Sequence, residues 1–104
     1  MLKIYSNKNC PDCVACKKNL DYYQIPYEEI DVLDSLYNLK TFLILRDKLE
    51  VFNHCKEIHD IGLPALVLDN GDITLDWEGY LLKEGKEIIF KLEGNSCSLD
   101  GKGC

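Results

Sequence analysis

The sequence lacks the segments that direct a chain to a membrane or anchor it in one. No apolar run among its 104 residues approaches the roughly 20 residues that span a bilayer. The start, from Met1 to Tyr5, has no charged region followed by the apolar stretch of a secretory signal peptide. We therefore expect a cytoplasmic protein with no membrane partner, in a compartment where thiols stay reduced.

Basic charge is also scarce. Lys and Arg number 12 against 18 Asp and Glu, which gives a formal net charge of -6. A nucleic-acid-binding protein needs a basic face to contact phosphates, so we expect no nucleic-acid partner. Hydrophobic residues make up 46% of the chain, enough for the core of one domain. We expect a monomer.

Apolar spacing and turn signals predict an α/β fold in the order βαβ, helix, ββ, α. Pro11 near the start of the first helix and the Asn70-Gly71 hairpin turn are its clearest local signals. The predicted elements are strands at Leu2 to Ser6, Tyr27 to Val32, Ala65 to Leu68 and Asp72 to Trp77, a helix closed by Ile25-Pro26, and a last helix at Tyr80 to Leu92.

The helix between the second and third strands is less regular. Asp34 or Ser35 is its predicted N-cap. Beyond Lys48 the segment either continues or breaks and restarts. The residues expected to face inward are Leu36, Leu39, Phe42 and Leu43.

The dithiol pair Cys10 and Cys13 is the main candidate for chemistry. A thiolate is the reactive form of cysteine, and the unpaired N–H groups at a helix start favour it. We expect Cys10 to be the attacking sulfur, exposed just before the helix, and Cys13 to resolve the mixed disulfide. Lys8 should favour the Cys10 thiolate, whereas Asp12 should oppose it.

The other cysteines inside the predicted domain are weaker candidates for a chemical role. Cys16 falls on the apolar stripe of the first helix and is interpreted as a buried, inert thiol. Cys55 and His59 are four residues apart, with His54 nearby, a spacing that can place metal ligands on one helix face. No carboxylate cluster completes such a site, so a metal role there is the less favoured interpretation.

The final stretch differs in composition from the rest. Three glycines, little apolar content and no periodicity predict a flexible tail at 93–104, after a domain at 1–92. Cys97 and Cys104 lie in this tail. They are incidental thiols, a second dithiol that exchanges with Cys10 and Cys13, or metal or cross-linking thiols. The alternative function is therefore a metal or iron–sulfur binding or delivery module that uses Cys10, Cys13, Cys97 and Cys104.

Three motifs together resemble the glutaredoxins, specifically the bacterial glutaredoxin-related proteins of the thioredoxin superfamily, from Leu2 to about Leu92. They are Cys10-Pro11-Asp12-Cys13 followed by Lys17, Gly62-Leu63-Pro64, and the hairpin Asp69-Asn70-Gly71-Asp72.

The resemblance implies a thioredoxin-like fold, with a four-stranded mixed sheet flanked by helices, and thiol-disulfide oxidoreductase activity. It also implies that the peptide bond before Pro64 is cis and that Pro64 faces the dithiol. The substrate-binding residues it suggests are Lys8, Pro11, Asp12, Leu63, Pro64 and Gly79.

Three features depart from the family's pattern, the first of which is Asp12 in place of the usual Tyr between Pro11 and Cys13. Asn7 stands where the family commonly has Lys or Arg, and only Gly79 matches the Gly-Gly and acidic segment that holds glutathione. We therefore expect no bound cofactor, with glutathione as one candidate co-substrate. The implied partners are a disulfide-containing protein or small thiol, and a reductant that is either glutathione or a thioredoxin-reductase-like enzyme.

Overall fold

A computed structural model describes residues 1–91 of the chain. The strands are β1 (Leu2–Ser6), β2 (Tyr27–Asp31), β3 (Ala65–Val67) and β4 (Ile73–Thr74). The helices are α1 (Pro11–Tyr22), α2 (Leu36–Lys48), α3 (Asn53–Glu57) and α4 (Trp77–Lys83), with a short 3₁₀ helix at Glu50–Phe52 before α3.

The sheet is built around β1, whose side chains are buried except at Lys3. Its strand order is β2-β1-β3-β4, with β2 parallel to β1 and the other neighbours antiparallel. The parallel pair joins Leu2 to Tyr27 at one end and Ser6 to Asp31 at the other. The predicted four-stranded mixed sheet flanked by helices is therefore confirmed, and a four-residue loop joins the carboxyl end of β1 to α1.

The buried side chains form two clusters. The first is centred on Phe42, whose ring lies between Tyr5 and Phe52 at centroid distances of 5.7 and 5.8 Å, and it includes Cys10 and Cys13. The second contains Leu2, Ile4, Ala15, Cys16, Leu20, Leu66, Trp77 and Leu81. Helix α1 contributes to both, since its start belongs to the first cluster and its later turns to the second.

Helix α2 faces the core with a narrower stripe than predicted. Ser35 is its N-cap, and the Ser35 hydroxyl accepts the Asn38 N–H at 3.1 Å. The prediction that Leu36 and Leu43 face inward is wrong, because they are 72% and 38% exposed and only Phe42 is fully buried. The break and restart beyond the end of α2 is confirmed by the 3₁₀ helix and α3.

The segment after the hairpin also differs from the prediction. The Asn70-Gly71 turn is present, but its returning strand is only β4, because Asp76 caps a helix that already begins at Trp77. The predicted helix to Leu92 is wrong, since α4 ends at Lys83 and Gly85 has φ +74. Strands β2 and β3 each end one residue earlier than predicted. No helix in residues 1–91 is long and apolar enough to cross a membrane.

Candidate active site

The loop between β1 and α1 is held by the side chain of Asn7. Its Nδ2 donates to the Asp31 carboxylate at 2.9 Å, which ties the loop to the end of β2. Its Oδ1 accepts the Asn9 N–H at 2.9 Å, and its carbonyl accepts the Cys10 N–H at 3.1 Å. The position of Cys10 is therefore fixed by its bond to the Asn7 carbonyl and by the bond of the Asn7 side chain to β2.

Cys10 is the N-cap residue of α1. Its backbone is extended, and its sulfur accepts the Cys13 N–H at 3.2 Å. The hydrogen bond with the Cys13 side chain lowers the pKa of the Cys10 thiol, and backbone N–H groups of Cys13 and Asp12 act in the same direction. Burial and the Asp12 charge oppose this effect without reversing it. The predicted direction of the Asp12 effect is confirmed.

Cys13 has the opposite character. It is completely buried, and the hydrogen bond with Cys10 together with burial raises the pKa of its thiol. One thiol of the pair is thus stabilised as a thiolate, while the other is held protonated beside it. This arrangement suits a nucleophile and a reserve thiol that acts once its neighbour has formed a mixed disulfide.

The predicted exposure of Cys10 is wrong. The residue is only 3% exposed, because the sulfur is turned toward the first turn of α1 rather than toward solvent. Cys10 nevertheless lines a surface groove with Asn7, Asn9 and Leu63. A reaction partner therefore has to enter this groove to approach the sulfur.

Asp12, between the two cysteines, is joined to α4. Its carboxylate accepts the Trp77 Nε1–H at 2.8 Å, and burial raises the pKa of Asp12. Trp77 is placed by the cap of α4, where the Asp76 carboxylate accepts the Gly79 N–H at 3.0 Å. The sequence analysis missed Trp77, because it is 65 positions from Asp12 and carries no local signal of that contact.

Gly79 has a local role in the same cap. A Cβ at this position would overlap the Asp76 carboxylate, so a side chain here would disturb the cap. The Gly79 N–H is already bonded to Asp76. Contact between Gly79 and substrate stays a prediction.

The Leu63-Pro64 peptide bond is cis, as the resemblance implied. Gly62 before it has φ +98, and a Cβ there would lie 2.9 Å from the Phe52 ring, so two constraints favour glycine. Leu63 and Cys10 belong to the same buried cluster and line the same groove. The cis segment and the dithiol therefore meet at one surface.

Two grooves flank the start of α1. The first, called here the apolar groove, has a volume of about 420 Å³. Its lining residues are Asn7, Asn9, Cys10, Val32, Leu33, Leu39, Phe42, Leu43, Arg46, Ile61 and Leu63. The second, called here the lysine groove, has a volume of about 410 Å³ and is lined by Lys8, Asn9, Pro11, Val14, Ala15, Lys18, Ile89, Phe90 and Lys91.

The lysine groove depends on Asn19, a fully buried amide on α1. Its Oδ1 accepts the N–H groups of Ile89 and Phe90 at 2.8 and 3.1 Å. Its Nδ2 donates to the carbonyls of Phe90 and Ala15 at 2.7 and 2.8 Å. Asn19 therefore fixes the segment after α4 against α1. The sequence analysis did not identify this residue.

The remaining cysteines fall into two groups. Cys16 is completely buried, as predicted, and burial raises the pKa of its thiol. Cys55 is also buried, but His59 lies beyond the end of α3 with φ +60, so the two do not share a helix face. Within residues 1–91, no group of three or more His, Cys, Asp or Glu side chains is arranged to hold a metal. Cys97 and Cys104 lie outside the described residues.

Comparison with known proteins agrees with this geometry. The family model described as Glutaredoxin matches residues 2–58, which include the dithiol loop, α1 and α2. A protein of Haemophilus influenzae (strain Rd), described as an uncharacterized protein, is 38% identical over 73 residues, covering 70% of this chain and 85% of the relative. The match to more than half of the chain, together with the mixed sheet, shows that this protein belongs to the glutaredoxin family.

Proposed function

We propose that this protein is a thiol-disulfide oxidoreductase in which Cys10 is the nucleophile and Cys13 the resolving thiol. The observation that carries the proposal is the hydrogen bond from the Cys13 N–H to the Cys10 sulfur at 3.2 Å. It stands with the lowered pKa of Cys10 and the raised pKa of Cys13. The family supports a thiol-redox role in general.

The reaction has two exchange steps. The Cys10 thiolate attacks one sulfur of a substrate disulfide, forming a Cys10–substrate disulfide, and the other substrate sulfur leaves as a thiolate that takes a proton from water. Cys13 then loses its proton and attacks the Cys10 sulfur, which releases the second substrate thiolate. Two electrons pass to the substrate, and the Cys10–Cys13 disulfide remains for an external thiol to reduce.

Leu63 is proposed to bind the substrate backbone beside Pro64. Within residues 1–91 the main chain of Leu63 makes no hydrogen bond, and the residue lines the groove that contains Cys10. An extended substrate segment could therefore pair with it. Substrate contacts by Lys8, Pro11 and Asp12 stay predictions, since Lys8 and Pro11 line the lysine groove and Asp12 is bonded to Trp77.

The proposed partners follow from this chemistry. The oxidised substrate is a disulfide-containing protein or a small thiol in its disulfide form. The reductant is glutathione or a thioredoxin-reductase-like enzyme, and we propose that the protein works in the cytoplasm as a monomer with no bound cofactor. Metal or iron–sulfur binding by Cys10, Cys13, Cys97 and Cys104 stays an alternative prediction.

The proposal is tested by disulfide reduction with matched cysteine variants. Cys10→Ser should abolish reduction of insulin and of mixed disulfides, because no other thiol of residues 1–91 has a lowered pKa. Cys55→Ala, which removes a buried thiol far from the dithiol in sequence, should leave turnover within about twofold of wild type. Unchanged turnover in Cys10→Ser would contradict the proposal.

We also propose that Cys97 and Cys104 exchange with the dithiol. The described chain ends at Lys91 in the lysine groove, which Pro11 also lines, and six further residues can span about 20 Å. Cys97 would attack Cys10 of the oxidised dithiol, releasing Cys13, and Cys104 would then form the Cys97–Cys104 disulfide. The two electrons of the tail thiols thus reach the dithiol.

Mass mapping during a redox titration tests this exchange. In Cys13→Ser, a Cys10–Cys97 disulfide should accumulate under oxidation, because the competing intramolecular bond cannot form. Replacing Cys97 by Ser should remove that species. Its absence from Cys13→Ser under conditions that oxidise Cys10 would sink the idea.

A further inference from the structure

The apolar groove is the surface through which Cys10 is approached. We propose that it binds an apolar segment flanking the disulfide of a polypeptide, so that the enzyme reduces such disulfides in preference to glutathione disulfide. This inference rests on the proposed function and specifies its substrate class.

The lining of the groove is suited to apolar side chains. Phe42 and Leu63 are buried and form part of its lining, while Leu33 and Ile61 expose 64% and 48% of their surface. Exposed apolar side chains grouped around a groove are typical of a binding surface. A partner that covers them gains free energy in proportion to the apolar area removed from water.

Arg46 is the only charged residue among those that line the apolar groove. Two of its guanidinium N–H groups are bonded to the backbone, since Nε donates to the Ile61 carbonyl at 2.8 Å and Nη2 to the Asp60 carbonyl at 2.7 Å. These bonds hold the segment before the cis peptide against α2. Arg46 therefore both builds the groove wall and supplies the single positive charge among the residues that line it.

Glutathione is a poor match for this lining. It carries two carboxylates and an ammonium group, and the groove lining offers one cation, Arg46, so the remaining charges would lose hydration against apolar walls without gaining partners. The exposed lysines Lys8, Lys18 and Lys91 lie in the other groove, which Cys10 does not line. An apolar polypeptide segment has no charges to desolvate there. Its backbone can pair with Leu63 while its side chains cover the apolar walls.

The substrate preference is tested with two peptide disulfides and glutathione disulfide. One peptide has Leu and Val beside its cysteine, and the other has Glu and Ser at the same positions. Wild type should reduce the first with a kcat/KM about tenfold above that of the second and of glutathione disulfide. Equal values, or a preference for glutathione disulfide, would overturn the inference.

The groove is tested by replacing two of its exposed residues. Leu33→Ser/Leu43→Ser should lower kcat/KM for the apolar peptide about tenfold, through KM, and leave the charged peptide within about twofold. Leu82→Ser is the matched control, because Leu82 is 59% exposed on α4 and does not line the groove. An unchanged KM in the double variant would count against the groove.

A binding measurement separates this inference from the proposed reaction. The apolar peptide with Ser in place of its cysteine should bind wild type in a calorimetric titration, and binding should weaken about tenfold in Leu33→Ser/Leu43→Ser. If peptide binds but no disulfide is reduced, the proposed function fails and the groove stands. If disulfides are reduced but neither binding nor turnover depends on the apolar residues, the groove assignment fails alone.

Discussion

The two grooves beside the start of α1 have nearly equal volumes, about 420 and 410 Å³, and both are lined by Asn9. Their charge differs, because one is lined mainly by apolar residues with Arg46 as its single charge, and the other combines three lysines with apolar residues of α1 and of the segment after α4. Size therefore does not distinguish them. The decisive difference is that Cys10 lines only the apolar groove.

The three lysines that line a groove and Cys10 therefore lie on different sides of the start of α1. Cys10 packs in the first buried cluster, which also contains Phe42 and Phe52. The lysine groove instead depends on Asn19 and on the chain segment after α4. In this member of the glutaredoxin family, Cys10 therefore lies beside an apolar surface, while the three groove-lining lysines lie on the other side of the start of α1.

The largest effect is expected in Cys13→Ser, which tests which groove a substrate occupies. Removing Cys13, the proposed resolving thiol, should stop turnover after a single mixed disulfide has formed at Cys10, provided no external thiol is added. With the apolar peptide attached, hydrogen exchange should slow at residues 61–63 and not at residues 89–91. Slower hydrogen exchange at residues 89–91 instead would show that the substrate occupies the lysine groove.

Asn19→Ala should disrupt one groove and spare the other. It leaves the N–H groups of Ile89 and Phe90 without their buried acceptor, so the free energy of unfolding should fall by about 3 kcal/mol in urea titrations. Asn38→Ala, which removes one side-chain bond to the Asp31 carbonyl, should cost only about 1 kcal/mol.

Under conditions where Asn19→Ala remains folded, reduction of the apolar peptide should stay within about twofold of wild type. A loss of activity as large as that in Cys13→Ser would show that the two grooves are not independent.

The parts of the fold with local signals were predicted from the sequence. Strand β1 is a short buried run, α1 has Pro11 at its start, and the hairpin has Asn70-Gly71. A helix after the hairpin was also predicted, but its bounds were wrong, because α4 runs from Trp77 to Lys83, and Ile88 and Phe90 lie in the later segment that Asn19 holds against α1. Gly85 ended the helix before either residue.

The site could be predicted only in its local parts. The Cys10 cap and its lowered pKa follow from a cysteine placed before a helix, a relation within three residues. The Asp12–Trp77 bond joins residues 65 positions apart, and the Asn19–Phe90 bond joins residues 71 apart. Such pairs depend on how the helices pack, so no spacing in the sequence indicates them.

Leu43→Lys should make the apolar groove more similar in charge to the lysine groove. A lysine at this 38% exposed position places a charge beside Cys10's groove, so kcat/KM for the apolar peptide should fall about tenfold. For glutathione disulfide it should rise about threefold, the gain expected of one partly exposed ion pair. Ile44→Lys, at an exposed residue that does not line the groove, should change neither value by more than about twofold.

The smallest effect is expected in Asp12→Asn, which removes the carboxylate between the two cysteines in sequence and keeps an oxygen to accept the Trp77 N–H. The Asp12 charge raises the pKa of Cys10, so the pH profile of Cys10 alkylation should shift to lower pH, by less than about one unit. The difference from wild type should vanish as the pH falls below the pKa of Asp12, which burial holds above its usual range. Asp72→Asn, in the hairpin at the other end of the sheet, should leave the profile in place. A shift to higher pH in Asp12→Asn would mean that Asp12 acts on Cys10 through its position rather than its charge.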